Sequence, residues 1–189
     1  MNYREYITEV TLNTNPELQK LFSLAVKQVF TIPYEQRIDK ILKREIDIRE
    51  KKERPGVVAY SQGKHIYVNP DEFYQRDKKQ QIRYILHEFI HILQKSRGLV
   101  LRKFKEVKRL TNKLNRILQK HLTKPISVFL TGKNQNLGPG GKWEILSYFM
   151  NDSIDWTAIT PEGKREVIEA LRESGMFDIQ HPFWTKRLS

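Results

Sequence analysis

The feature that most constrains this chain is an amphipathic segment at about residues 77–97, which the spacing of its apolar residues predicts to be one helix. Those residues recur three or four positions apart and form one broad face: Ile82, Ile85, Leu86, Phe89, Ile90 and Leu93. Asp77 followed by Gln80 is typical of a capping box, and Arg97-Gly98 is typical of a helix end. We expect the rest of the chain to be organised around this helix.

The helix carries the stretch His87-Glu88-Phe89-Ile90-His91. Because the two histidines are four residues apart, both imidazoles project from one side of the helix and can hold one Zn²⁺ at about 2.0–2.1 Å each. Glu88 is rotated by about 100° from His87, so it can reach a metal-bound water without being a ligand itself. This is the chemical content of the pattern H-E-x-x-H. The alternative is a pair of hydrogen-bonded core histidines, but the position in mid-helix favours a metal site.

The motif in this helical context resembles the active-site helix of the zincin metallopeptidases. The resemblance implies that His87 and His91 bind zinc and that Glu88 is the general base. It also implies an α+β fold, a small zincin-like domain in which helices pack on a short antiparallel or mixed sheet. The third histidine of the metzincin branch is absent because Arg97 stands at that position. In the gluzincin branch a glutamate on a later helix completes the ligand set.

Glu144 is our candidate for that third ligand, from the resemblance and from a burial argument. It follows a glycine-rich loop at residues 131–141 and lies near the start of a predicted helix at residues 142–152. Apolar neighbours flank it, and a buried, unpaired carboxylate would be costly unless a metal bound it. An exposed glutamate, favoured near a helix N-terminus, is the alternative. Several rivals for the third position stay open: Asp152, Asp155, His65, His121 and His181.

Tyr148 lies one turn beyond Glu144 and is a candidate catalytic donor to the oxygen of a scissile carbonyl. A tyrosine of the core is the alternative. In gluzincins an acidic residue often follows the ligand glutamate by four positions and orients a histidine. Because Tyr148 stands there in this chain, the groups that orient the histidines should differ.

The remaining pattern predicts a single domain over residues 1–189, with an N-terminal helical extension at about 1–44 and an aromatic C-terminal tail at about 176–189. Asn15 and Pro16 are typical of a helix start, as are Thr160 and Pro161. Further helices and strands are expected at residues 16–30, 34–44, 45–49, 57–61, 65–69, 101–122 and 161–174, with a hairpin turn at Gln62-Gly63-Lys64. In zincins an edge strand pairs with the substrate, and the resemblance assigns that part to the strand at 57–61 or the one at 65–69.

The formal net charge is +12, and basic residues are densest in the predicted helix at 101–122. Such a face can bind nucleic acid or another acidic partner, although a solvated helix face is the alternative that we favour. The chain has no cysteine, which excludes a disulfide framework and a cysteine zinc ribbon. No apolar run is long enough to span a membrane, so we expect a soluble protein without a membrane partner, located in the cytoplasm.

These observations lead us to expect zinc-dependent hydrolysis of a peptide bond in a protein or peptide substrate. The alternative is a non-catalytic, zincin-like structural or assembly protein with a vestigial metal site. The short, lysine-rich chain also resembles small zincin-like proteins of tailed bacteriophages, in which case it would be associated with the virion. A peptidase acting near DNA is a third hypothesis, but the missing cysteines disfavour the DNA-repair zincins that carry a zinc ribbon.

Overall fold

The computed structural model describes residues 15–36, 38, 46–95, 105–123, 141–150, 154, 156–182 and 184–185. Within these ranges the fold is α+β, as expected. The principal helices are α1 (Pro16–Val29), α2 (Pro70–Phe73), α3 (Lys78–Lys95), α4 (Lys105–His121), α5 (Gly141–Met150) and α6 (Pro161–Glu173). The strands are β1 (Asp47–Glu50), β2 (Ala59–Gln62) and β3 (His65–Val68), and a short 3₁₀ helix spans Trp156–Ala158. Residues 32–36 and residue 38 are also helical, and the other positions of the helix predicted at 34–44 lie outside the described residues.

The three strands form one mixed sheet in the order β1-β3-β2. β1 runs parallel to β3, whereas β2 and β3 form an antiparallel hairpin in which Gln62 is opposite His65. Gly63 has a φ of +62°, which a glycine adopts without strain, so the predicted turn between these strands is confirmed. Ile66 and Val68 of β3 are fully buried on one face of the sheet. The sheet therefore contributes one face to the core, and β2 is an edge strand of the described sheet.

Helix α3 lies at the centre of the packing and contacts the sheet, α1, α4 and α5. Its start is the predicted capping box: the backbone N–H of Gln80 donates to Asp77 Oδ1 at 2.8 Å, and that of Asp77 donates to Gln80 Oε1 at 3.3 Å. All six residues of its predicted apolar face are buried. Its predicted end at Arg97-Gly98 lies outside the described residues.

Helix α1 packs against α3 through aromatic side chains. It begins as predicted, with the Asn15 side chain accepting from the backbone N–H of Glu17 at 3.0 Å. At its other end, Trp184 donates its indole N–H to the carbonyl of Val29 at 3.3 Å, and the Phe177 ring lies 5.1 Å from that of Phe30. The described part of the aromatic tail therefore packs on the body of the protein.

Helix α4, the basic helix, packs against α6. Lys120 Nζ lies 3.1 Å from a carboxylate oxygen of Glu166, and Lys113 pairs with Glu173. Carboxylates of α6 thus neutralise two of the basic residues. Residues 101–104 of the predicted helix lie outside the described ranges. None of the helices in those ranges is both long and apolar enough to cross a membrane.

Candidate metal centre

The two helices that carry the predicted site residues, α3 and α5, pack directly against each other. On α5 the side chains of residues 145–147, 149 and 150 are all buried. Glu144 and Tyr148 are the two half-buried residues between positions 144 and 150, and their four-residue spacing places them on one stripe. Burial of its other faces thus sets the rotation of α5 and directs this stripe toward the histidines of α3.

Three nitrogen and oxygen atoms converge between these helices. His91 Nε2 lies 3.1 Å from His87 Nε2 and 3.0 Å from Glu144 Oε2, and His87 Nε2 lies 3.4 Å from the same carboxylate oxygen. A tetrahedral zinc ion with ligands at about 2.0–2.1 Å requires ligand atoms about 3.3 Å apart. The residues present therefore fit a small tetrahedral ion, with three protein ligands and a fourth position for water.

The charge of Glu144 also suits a metal ligand. Partial burial of this carboxyl by itself raises its pKa, but the hydrogen bonds from His87 and His91 outweigh that effect and lower the pKa to about 2. The carboxylate is consequently ionised at neutral pH, which is the form that binds a cation.

Glu88 and Tyr148 flank the three converging atoms. Glu88 Oε1 lies 3.9 Å from His87 Nε2, outside the triangle but next to it, and its side chain is 12% exposed. The rings of Tyr148 and His87 meet edge to face, with their centroids 5.6 Å apart. Burial, together with the nearby charge of Glu144, raises the pKa of the Tyr148 hydroxyl.

The other histidines considered for the third position are engaged elsewhere. His65 on β3 pairs with Asp47 on β1, and His121 lies 2.9 Å from Glu166. Neither they nor His181 belongs to the group formed by His87, His91 and Glu144. Two further rivals, Asp152 and Asp155, lie outside the described residues, as does most of the glycine-rich loop. Among the residues that are described, Glu144 is the carboxylate that meets both histidines.

A second histidine–carboxylate group consists of His121, Glu162 and Glu166, where α4 meets the start of α6. The Glu166 oxygen that faces His121 already pairs with the ammonium group of Lys120, whose Nζ lies 3.1 Å away. His121 Nδ1 lies 3.2 Å from the hydroxyl of Thr160, the residue that caps α6. This group is therefore best explained as a polar link between the two helices.

Sequence reasoning missed two polar residues behind the site. Gln94 Oε1 lies 3.1 Å from His91 Nδ1, and the Gln94 amide donates to Thr111 Oγ1 on α4 at 3.1 Å. Gln94 is 2% exposed and Thr111 is 1% exposed. The available signal was the position of Gln94, a polar residue one turn after His91 and next to the apolar face of the helix.

In the described part of the chain, His87, His91 and Glu144 could hold a cation, with the Glu88 carboxylate and the Tyr148 phenol beside them. No protein-family model, curated protein or solved structure matches this chain.

Proposed function

We propose that this chain is a zinc-dependent peptidase with a zincin-like site. One observation carries the proposal: His87, His91 and Glu144 place three ligand atoms 3.0–3.4 Å apart. Two nitrogens and one carboxylate oxygen with an open fourth position are the ligand set of catalytic rather than structural zinc sites. When bound there, zinc polarises a carbonyl and lowers the pKa of its water to about 7.

The chain's own residues supply the proton transfers. Glu88, beside the ligands but not among them, accepts the proton of the attacking water and passes it to the leaving amine as the peptide bond breaks. Tyr148 donates its hydroxyl proton in a hydrogen bond to the carbonyl oxygen, where negative charge develops. The position of the Tyr148 ring beside His87 supports this role, because it places the phenol next to the three ligand atoms.

The substrate would bind along the edge of the sheet. β3 is the central strand of the described sheet, so of the two strands that the zincin resemblance suggested, β2 is the one with an edge position. β2 also packs against α3, the helix that carries the histidines. An extended peptide paired with β2 through backbone hydrogen bonds would lie close to the metal centre.

The first test is zinc content. The purified parent protein should bind one zinc per chain, while His87→Ala and His91→Ala should bind none after reconstitution, because two ligands cannot hold the ion tightly. His65→Ala is the matched control and should keep the full zinc content, since its imidazole pairs with Asp47 and belongs to neither histidine–carboxylate group of the described residues. A parent protein without zinc after reconstitution would refute the proposal.

The second test separates a peptidase from a non-catalytic protein. Glu88→Gln should keep the zinc but lose cleavage of any protein or peptide that the parent cleaves, by about 10²- to 10⁴-fold. Glu173→Gln on α6 is the matched control and should cleave at the parental rate. If Glu88→Gln cleaves as fast as the parent, Glu88 is not the base. Zinc binding without cleavage of any substrate in a broad peptide library would favour the structural or assembly role.

A further inference from the structure

A buried chain of hydrogen bonds runs from the metal centre into the interior of helix α4. His91 Nδ1 meets Gln94 Oε1 at 3.1 Å, the Gln94 amide meets Thr111 Oγ1 at 3.1 Å, and Thr111 Oγ1 meets the carbonyl of Val107 at 2.8 Å. His91 is 5% exposed, and the two residues behind it are more deeply buried. Water therefore has little access to these three side chains.

The last acceptor, the carbonyl of Val107, determines which group donates in each of these hydrogen bonds. The Val107 carbonyl can only accept, so the Thr111 hydroxyl must donate its proton to it. The Thr111 oxygen is then an acceptor, which places the amino group of Gln94 on the Thr111 side and the Gln94 carbonyl oxygen on the side of His91. A carbonyl oxygen facing Nδ1 requires a proton on that nitrogen.

We infer that Gln94 and Thr111 are positioning residues that hold the proton of His91 on Nδ1 and so present the Nε2 lone pair to the metal. The inference rests on the zinc centre of the proposed function. His91 Nε2 points to Glu144 and His87, where a ligand atom is needed. Mutation of a group that orients a metal-bound histidine through its other nitrogen lowers metal affinity by about 10- to 100-fold.

Three variants test this arrangement. Gln94→Met removes both polar groups while keeping much of the volume, and should weaken zinc binding about 10- to 100-fold. Thr111→Val removes only the hydroxyl, which frees the Gln94 amide to turn its amino group toward Nδ1, and should weaken binding about tenfold. Thr111→Ser keeps the hydroxyl and should bind zinc as the parent does. Zinc affinity is measured by chelator competition, with circular dichroism to verify folding.

A second readout needs no metal. In ¹⁵N NMR spectra of the metal-free parent, His91 Nδ1 should carry a proton, whether or not Nε2 is also protonated and donates to Glu144, and Thr111→Ser should give the same pattern. In Gln94→Met this preference should be lost. A purely structural role of Gln94 and Thr111 would not change which nitrogen is protonated.

The outcomes of the two proposals are distinguishable. An unprotonated Nδ1 in the parent, or folded Gln94→Met and Thr111→Val variants with parental zinc affinity, would overturn the positioning role and leave the zinc centre intact. A parent that binds no zinc would overturn the peptidase proposal, and the NMR result would still decide whether the hydrogen-bond chain sets the proton position.

Discussion

Replacing Phe89 by alanine tests the rotation of α3, on which the whole candidate metal centre depends. Phe89 lies between the two histidines in sequence, but about 160° from each of them around the helix axis. Its side chain is 0% exposed. The ring meets Phe22 edge to face at a centroid distance of 4.9 Å, and Phe30 at 6.3 Å.

The expected cost follows from this environment. Replacing a buried phenylalanine by alanine lowers the free energy of unfolding by about 3–5 kcal/mol. Two edge-to-face ring contacts place Phe89 in the upper part of that range, at about 4–5 kcal/mol. In a domain of this size each kcal/mol lowers Tm by about 2–4 °C, so we expect Phe89→Ala to lower Tm by about 8–20 °C.

Urea and thermal unfolding of the metal-free proteins would measure this loss. Phe89→Leu retains most of the apolar volume and should lose roughly 1–2 kcal/mol. It should also still bind zinc, because the ligands project from the opposite side of the helix. Ile32→Ala is the surface control: the side chain is 68% exposed, and the change should stay within about 0.5 kcal/mol.

A Phe89→Ala variant that loses less than about 1 kcal/mol would refute this reasoning. The side chain would then not fill the space between α3 and α1. Because the same rotation of α3 buries Phe89 and directs His87 and His91 toward α5, the placement of the ligands would be called into question as well.

Two further predictions concern the link between α4 and α6 and the charge of Glu144. Gly163→Ala should lower the free energy of unfolding by roughly 1–3 kcal/mol, although alanine favours a helix, because its Cβ would lie 2.4 Å from the Cβ of His121. A Gly163→Ala variant with an unchanged or increased Tm would contradict the close packing of Gly163 against His121. The lowered pKa of Glu144 means that its contribution is fully present above its ordinary pKa of 4.5 and is lost as pH falls through about 2. Urea unfolding of the metal-free parent should therefore lose up to about 3 kcal/mol more over this pH range than that of Glu144→Gln. If the parent and Glu144→Gln lose the same free energy of unfolding over this range, the histidines do not stabilise the Glu144 carboxylate.

Several features of the fold could be predicted because they depend on residues within one helical turn or one hairpin. The capping box depends only on Asp77 and Gln80 at the start of α3. The buried face of α3 and the common side of His87 and His91 follow from the 3.6-residue repeat. The turn at Gly63 follows from the conformational freedom of glycine. Such local preferences act whatever the rest of the chain does.

Contacts between distant segments could be predicted only in part. Glu144 was a candidate from its apolar neighbours and from the zincin resemblance, but Asp152, Asp155 and three histidines remained alternatives. Glu144 stands 53 residues from His91, and its approach to both histidines depends on how α5 packs against α3. The central position of β3 and the pairing of the α4 lysines with α6 were likewise not evident from the sequence.

The sequence by itself determined where the helices and the hairpin form, which faces are apolar, and that two imidazoles and one carboxylate share the turn from His87 to His91. Only the tertiary structure decided which distant carboxylate meets those imidazoles, and that Gln94 and Thr111 link His91 to α4. The physical reason is that periodicity specifies the direction of a side chain relative to its own helix. The partner that the side chain meets depends on the packing of a second helix, which no local pattern specifies.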